Sequence, residues 1–283
     1  MGAHVATSVG DVPSPQQMLA AYHRIGQAAR AATATAWYDP AARRPLGRGA
    51  GGDVTMVFDA TLEQIAIDLL RPLGGMELRS EECGVRDLGG GPWRVLLDPL
   101  DGSTNAKTQL PLCGISIAAG RGECLGDVEV AYVADLMHED TFWAIRGGGA
   151  FRNGVPLQTR PQWESGILGA EIRLRQLGAL GALAPALAPT FTRVRCLGAL
   201  ALDLCHVASG AFLGVIDGLR EGARVLDVAA AQLIVREAGG VMGLADREDF
   251  LDVPLGLQER RNFLAAVDEP TLRLLQGVRN PPR

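Results

Sequence analysis

Asp98 and Asp101 stand three residues apart in the run Asp98-Pro-Leu-Asp-Gly-Ser-Thr-Asn105, directly after the apolar segment 93–97. Two carboxylates that close offer oxygen ligands of high charge density, which suit a hard divalent cation such as Mg2+. The N–H groups of Gly102, Ser103 and Thr104 face outward if a turn or helix starts there, and free N–H groups at such a start favour a phosphate. Metal-binding acids and an anion cradle within one turn indicate phosphate-ester chemistry.

Other acids stand at junctions between expected elements: Asp59, Glu81-Glu82 and Asp227. Each has a plain structural account. Asp59 and Asp227 precede amphipathic runs and would serve as helix N-caps. Glu81-Glu82 would be a solvated strand end, and Asp98 with Asp101 would satisfy their own turn. In this order and with these flanks, a shared site explains them better.

The elements that must position these acids follow from periodicity. Helices are expected over 15–38, 59–70, 173–184, 198–209 and 227–238. Strands are expected over 76–80, 93–97, 114–119, 127–134, 141–146, 166–170, 191–194 and 214–216, with a hairpin turn at Asn153-Gly154. The first strand delivers Glu81 and Glu82. Residues 39–53, rich in glycine and arginine with two prolines, read as a long mobile loop. The expected organisation is a loose tail over 1–14 and an α+β half over 15–158, with an antiparallel sheet and most of the metal ligands. An α/β half over 159–283 then completes the site with Asp227.

At 283 residues and 47% hydrophobic content, the chain can bury a substantial core. A net charge of −5 with no dense basic run argues against nucleic acid as a partner. No uninterrupted apolar span of about 20 residues occurs, so no membrane-spanning helix is expected. The N-terminus lacks a charged-then-apolar signal pattern. Five cysteines without CxxC spacing read as buried free thiols in a reducing compartment. A soluble, cytoplasmic protein is the resulting expectation. No GxGxxG follows a strand at the start of a βαβ unit, which sets a dinucleotide-binding protein aside.

The run 98–105 closely resembles a signature of the inositol monophosphatase family of metal-dependent sugar-phosphate phosphatases. Asp227-Val-Ala-Ala-Ala, continuing to Glu237-Ala-Gly-Gly240, is similar to that family's second signature. Ser80-Glu-Glu-Cys83 is similar to its glutamate motif, and segments 148–154 and 197–210 also look like family segments. The resemblance spans about 15–268 with spacing preserved. Gly51-Gly-Asp-Val-Thr55 with Asp59, and Arg224-Val-Leu-Asp227, look more like archaeal-type enzymes that often accept both inositol monophosphates and fructose 1,6-bisphosphate.

The resemblance implies a layered α-β-α-β-α sandwich, a homodimer, and a Mg2+-dependent phosphomonoesterase acting on a small phosphorylated polyol or sugar. It implies that Glu81, Asp98, Asp101, Asp227 and the carbonyl of Leu100 hold two or three Mg2+ ions. Asp59 and Ser103 match the pair that orients or deprotonates the attacking water, and the amides of Gly102, Ser103 and Thr104 match the phosphate cradle. Gly198, Ala199 and Leu200 occupy the family's substrate-contacting turn, yet Ala199 and Leu200 are apolar where a hydroxyl residue commonly precedes alanine. The family's glutamate for inositol hydroxyls has no clear counterpart in 217–224. Arg195, Arg220 and Arg224 lie nearby and could grip a second phosphate, as could Arg43, Arg44 and Arg48 from the loop. Another monoester (a bisphosphate nucleotide, histidinol phosphate or a secondary-metabolite sugar phosphate) is the second reading. A non-catalytic binding member is the third, disfavoured because it need not keep the whole carboxylate set.

Overall fold

Ser14 opens the first helix with a reciprocal cap: its hydroxyl accepts the N–H of Gln17, and the Gln17 side chain accepts the N–H of Ser14. With Pro15 at the first helical position, α1 runs Pro15–Ala36 and buries Met18, Tyr22, Ile25 and Ala29 along one face. This computed structural model describes residues 12–160, 166–217, 222–247 and 249–279. Most of the expected tail, residues 1–11, thus lies outside the described residues. Residues 12–14 are not loose, because the buried Trp93 indole N–H donates to the Pro13 carbonyl at 2.9 Å.

After α1 come β1 (Pro45–Arg48), β2 (Val54–Met56) and α2 (Val57–Leu70), then β3 (Met76–Ser80), β4 (Gly84–Leu88) and β5 (Trp93–Asp101). The short α3 (Ser103–Thr108) follows, then β6 (Gly114–Gly120), β7 (Val128–Asp135), β8 (Thr141–Ile145), β9 (Ala150–Arg152) and β10 (Val155–Leu157). The remainder holds β11 (Ile167–Glu171), α4 (Leu177–Leu187), β12 (Arg193–Arg195), α5 (Leu200–Ala208), β13 (Gly214–Asp217) and β14 (Ala223–Arg224). It closes with α6 (Val225–Glu237), β15 (Val241–Leu244), β16 (Arg260–Arg261), β17 (Phe263–Ala266) and α7 (Glu269–Arg279).

Strands β3 to β10 form an eight-stranded sheet in the order β10-β9-β8-β7-β6-β5-β3-β4, antiparallel except for the parallel pair β3/β5. A second sheet has the order β12-β11-β13-β17-β15; β11 pairs parallel with both neighbours, while β17 runs antiparallel to β13 and β15. Helices α1 and α2 cover one face of the large sheet. Between the sheets lie α5 and α6, and α4 and α7 cover the far face of the second sheet. The result is a five-layered α-β-α-β-α sandwich. Helix α6 is apolar on nearly its whole circumference because it is buried against a sheet on either side.

Several local expectations are corrected. Residues 39–53 are not one long loop: β1 and β2 form an antiparallel hairpin. It is pinned to the core where Ala50 and Gly51 donate to the carbonyls of Glu82 and Glu81 at 3.0 and 2.7 Å. The helix expected over 173–184 starts later and continues through Pro185 to Leu187. The proline forfeits one helical hydrogen bond without ending the helix. Strands β4 and β15 to β17 and helix α7 escaped the pattern reading. All five cysteines are free, but only Cys113 and Cys205 are buried and Cys196 is exposed. No described helix is long and apolar enough to cross a membrane.

Candidate active site

The parallel pairing of β3 with β5 sets Ser80 beside Leu97, so the next residues, Glu81 just past β3 and Asp98 within β5, stand side by side. The turn carrying Glu81 is held by buried Glu63 on α2, which accepts the Ser80 hydroxyl and the Cys83 N–H (2.9 Å). Past Asp98 the ladder to β6 breaks register before Asp101. Within that break the Leu100 N–H donates to Asp98 Oδ1 at 3.0 Å. Asp227 enters from the first turn of α6, where its carboxylate accepts the Arg224 N–H at 3.1 Å. One oxygen each from Glu81, Asp98 and Asp227 lies within 4.8 Å of the others.

Asp101 stands beside this trio and caps α5, accepting the Leu200 N–H at 3.0 Å and the Ala201 N–H at 2.8 Å. Burial, then the negative charges of Glu81, Asp101 and Asp227, push the Asp98 carboxyl well above the usual carboxylate range. Burial and the charge of Asp227 push Asp101 up to about 8, and burial with Glu81 pushes Asp227 up to about 7. Crowded, buried or half-buried, oxygen-only donors with such a demand for positive charge fit a hard divalent cation.

Two neighbours add to the site. Asp59, in the first turn of α2, accepts the Met56 N–H at 2.6 Å through Oδ2, while its buried Oδ1 has no hydrogen-bond partner among the described residues. Burial pushes its carboxyl up to about 6. Gly102 has φ +86°, and an added Cβ would meet the Leu112 carbonyl at 2.9 Å and the Gly198 carbonyl at 3.1 Å. Only glycine turns the chain there into Ser103 and Thr104, the first residues of α3.

A cleft of about 230 Å³ opens beside these acids, lined by Asp101, Asp227, Gly198, Leu200, Glu171, Arg173, Asp217 and Arg260 among others. Of the expected substrate turn, Gly198 and Leu200 reach the cleft, whereas Ala199 is buried with its methyl toward Gly102. The arginines differ from expectation. Arg224 is buried, ion-paired to Glu81 and Asp53, and donates to the Gly51 carbonyl at 2.8 Å. Both its terminal nitrogens are committed to the carboxylate cluster and the hairpin. Arg195 is exposed on the edge strand β12 and bonds the adjacent Val194 carbonyl. Arg43, Arg44 and Arg48 donate to carbonyls of Trp37, Ala41 and Gly52. Arg220 lies outside the described residues.

Sequence reasoning passed over Glu171, Asp217 and Arg260. Glu171 and Asp217 are the last residues of β11 and β13, and acids at the carboxyl ends of parallel strands are a signal for a ligand crevice. The strands expected over 166–170 and 214–216 stopped one residue short of them.

A sequence profile described as the inositol monophosphatase family matches residues 57–276. The chain belongs to that family. It is 35% identical over 234 residues to the fructose-1,6-bisphosphatase/inositol-1-monophosphatase of Methanothermobacter thermautotrophicus, covering 77% of this chain and 80% of the relative. The enzyme of the same description from Thermococcus kodakarensis is 34% identical, covering 84% and 88% of the two chains. A solved structure from Pyrococcus horikoshii, described as a hypothetical protein with similarities for inositol-1 monophosphatase, superposes with a TM-score of 0.77. It is 26% identical and covers 95% and 100% of the two chains. This chain is accordingly a phosphatase, a phosphoric monoester hydrolase, within a metal-dependent family that acts on sugar phosphates.

Proposed function

We propose that the protein is a Mg2+-dependent phosphomonoesterase for a small polyol or sugar phosphate, with inositol monophosphate and fructose 1,6-bisphosphate as leading candidates. The convergence of Glu81, Asp98 and Asp227 within 4.8 Å, at the edge of a polar cleft, carries this reading. Glu81, Asp98, Asp101 and Asp227, with the Leu100 carbonyl, would hold two or three Mg2+ ions. When bound, Mg2+ supplies the positive charge that lowers the pKa of an attacking water and stabilises the departing alkoxide.

The chain's own groups do the positioning. The amides of Gly102, Ser103 and Thr104 hold phosphate oxygens at the mouth of α3. Asp59 accepts the water's proton at its unpartnered Oδ1, aided by the Ser103 hydroxyl; burial raises its proton affinity toward that of an efficient base. Asp101, clamped by two α5 amides, fixes the turn of Gly198 to Leu200 against the metal side of the cleft. No residue need carry a covalent phosphate, so the cysteines are spectators. The test is phosphate release from inositol 1-phosphate, fructose 1,6-bisphosphate and AMP, side by side, with Mg2+ and with EDTA. Hydrolysis of the first or second that EDTA abolishes is expected; release unaffected by EDTA refutes the metal mechanism, and preference for AMP refutes the substrate class.

A further inference from the structure

Two further acids bear on the cleft: Glu171, in its lining, and Asp203, on α5. Asp203, on α5, is fully buried, and neither of its oxygens is reached by an N–H or hydroxyl donor of the described residues. Its electrostatic partner is Glu171, the residue that ends β11. Two like charges so paired disfavour joint ionisation, so one acid keeps its proton. Asp203 is the one that keeps it: it is fully buried and no N–H or hydroxyl of the described residues meets its oxygens, whereas Glu171 reaches the cleft and accepts an N–H. Glu171 is the ionised member. It accepts the Gly198 N–H through Oε1 at 3.0 Å, and it lines the cleft together with Asp101 and Asp227.

We propose that Glu171 determines substrate specificity as an ionised acceptor for free hydroxyl groups of the substrate, aimed by the Asp203 carboxyl behind it and the Gly198 N–H beside it. The class selected is a phosphate monoester of a polyhydroxylated ring or chain. This rests on the phosphatase reading above and goes beyond it by naming what recognises the alcohol half of the ester. Glu171 supplies the hydroxyl recognition that apolar Ala199 and Leu200 do not. Asp203 never touches substrate and is a positioning residue.

The test is steady-state kinetics in saturating Mg2+ on two probes, inositol 1-phosphate and p-nitrophenyl phosphate, the second having no free hydroxyl. E171Q is expected to lower kcat/KM for inositol 1-phosphate by ~10–100-fold, mostly through KM, because a charge-assisted hydrogen bond is lost. It leaves p-nitrophenyl phosphate nearly unchanged. D203N, a neutral isostere of the protonated carboxyl, stays close to wild type on both probes, while D203L repeats the selective loss of E171Q. Thermal melts accompany each variant, and E171D, which retracts the acceptor, carries the test should E171Q fail to fold. An equal fall on both probes, or an unchanged ratio in E171Q, overturns the assignment of Glu171. D203N losing as much as D203L overturns the role of Asp203. Wild type releasing phosphate from neither probe refutes the phosphatase reading itself, a result distinct from all of these.

Discussion

Replacing Asp98 by asparagine should separate stability from activity, with opposite signs. Asp98 is 4% exposed and faces Glu81, Asp101 and Asp227; the Arg224 guanidinium is paired to Glu81 instead. At 4.8 Å and an effective dielectric constant of about 20, each ionised carboxylate pair costs about 3 kcal/mol. Protons taken up by the cluster at neutral pH relieve part of this, so D98N should stabilise the metal-free fold by about 1–3 kcal/mol. For a chain of this size that is a rise in Tm of several degrees. With Mg2+ the order reverses, because the variant lacks a shared ligand charge: wild type gains stability on titration and D98N gains much less. Differential scanning calorimetry in EDTA and in Mg2+, paired with phosphate release, reads both. A D98N protein less stable than wild type in EDTA, or turning over near the wild-type rate in Mg2+, would refute the reasoning.

Arg224→Met should destabilise the metal-free protein by about 1–3 kcal/mol in urea melts, because it leaves half-buried Glu81 unpaired. It also unties the β1/β2 hairpin at Gly51, so limited proteolysis should cut within 45–56 faster than in wild type; equal cleavage rates would contradict the tether. Gly102→Ala places a Cβ 2.9 Å from the Leu112 carbonyl at φ +86° and should cost about 1–3 kcal/mol, with a matching fall in turnover. A fully active, equally stable variant would show that the turn needs no glycine. The fold raises the proton affinity of Asp101 to about 8 and of Asp227 to about 7. The folded state therefore binds protons more tightly than the unfolded chain, whose aspartates titrate at about 3.9. Metal-free stability should be greatest below about pH 4 as far as these groups decide, and fall as pH rises toward about 8. Tm in EDTA at pH 5 and pH 8 measures it, and a higher value at pH 8 would invert the sign.

Much of the site was legible because its parts are local in sequence. Asp98-Pro-Leu-Asp-Gly-Ser-Thr-Asn105 carries two acids, the φ-positive glycine and the start of α3 within eight residues, so spacing alone raised the expectation of metal and phosphate chemistry. Asp227 stood out at the head of an apolar helix. Element types were read from periodicity for α1, α2, α5 and α6 and for most of the large sheet. Strand β4, with its exposed centre, offered no hydrophobic alternation to read.

What the chain by itself determined was the inventory: which residues can bind a cation, and which helices and strands they terminate. Only the tertiary structure decided who meets whom. The β3/β5 parallel register puts Glu81 beside Asp98 across a separation that no local pattern records. The packing of α6 between two sheets brings Asp227 to them. The same convergence pairs Arg224 with Glu81, because a buried guanidinium takes an acid within reach. Partnerships of buried charges depend on distances of a few ångströms between segments far apart in the chain, and sequence spacing carries no such distances.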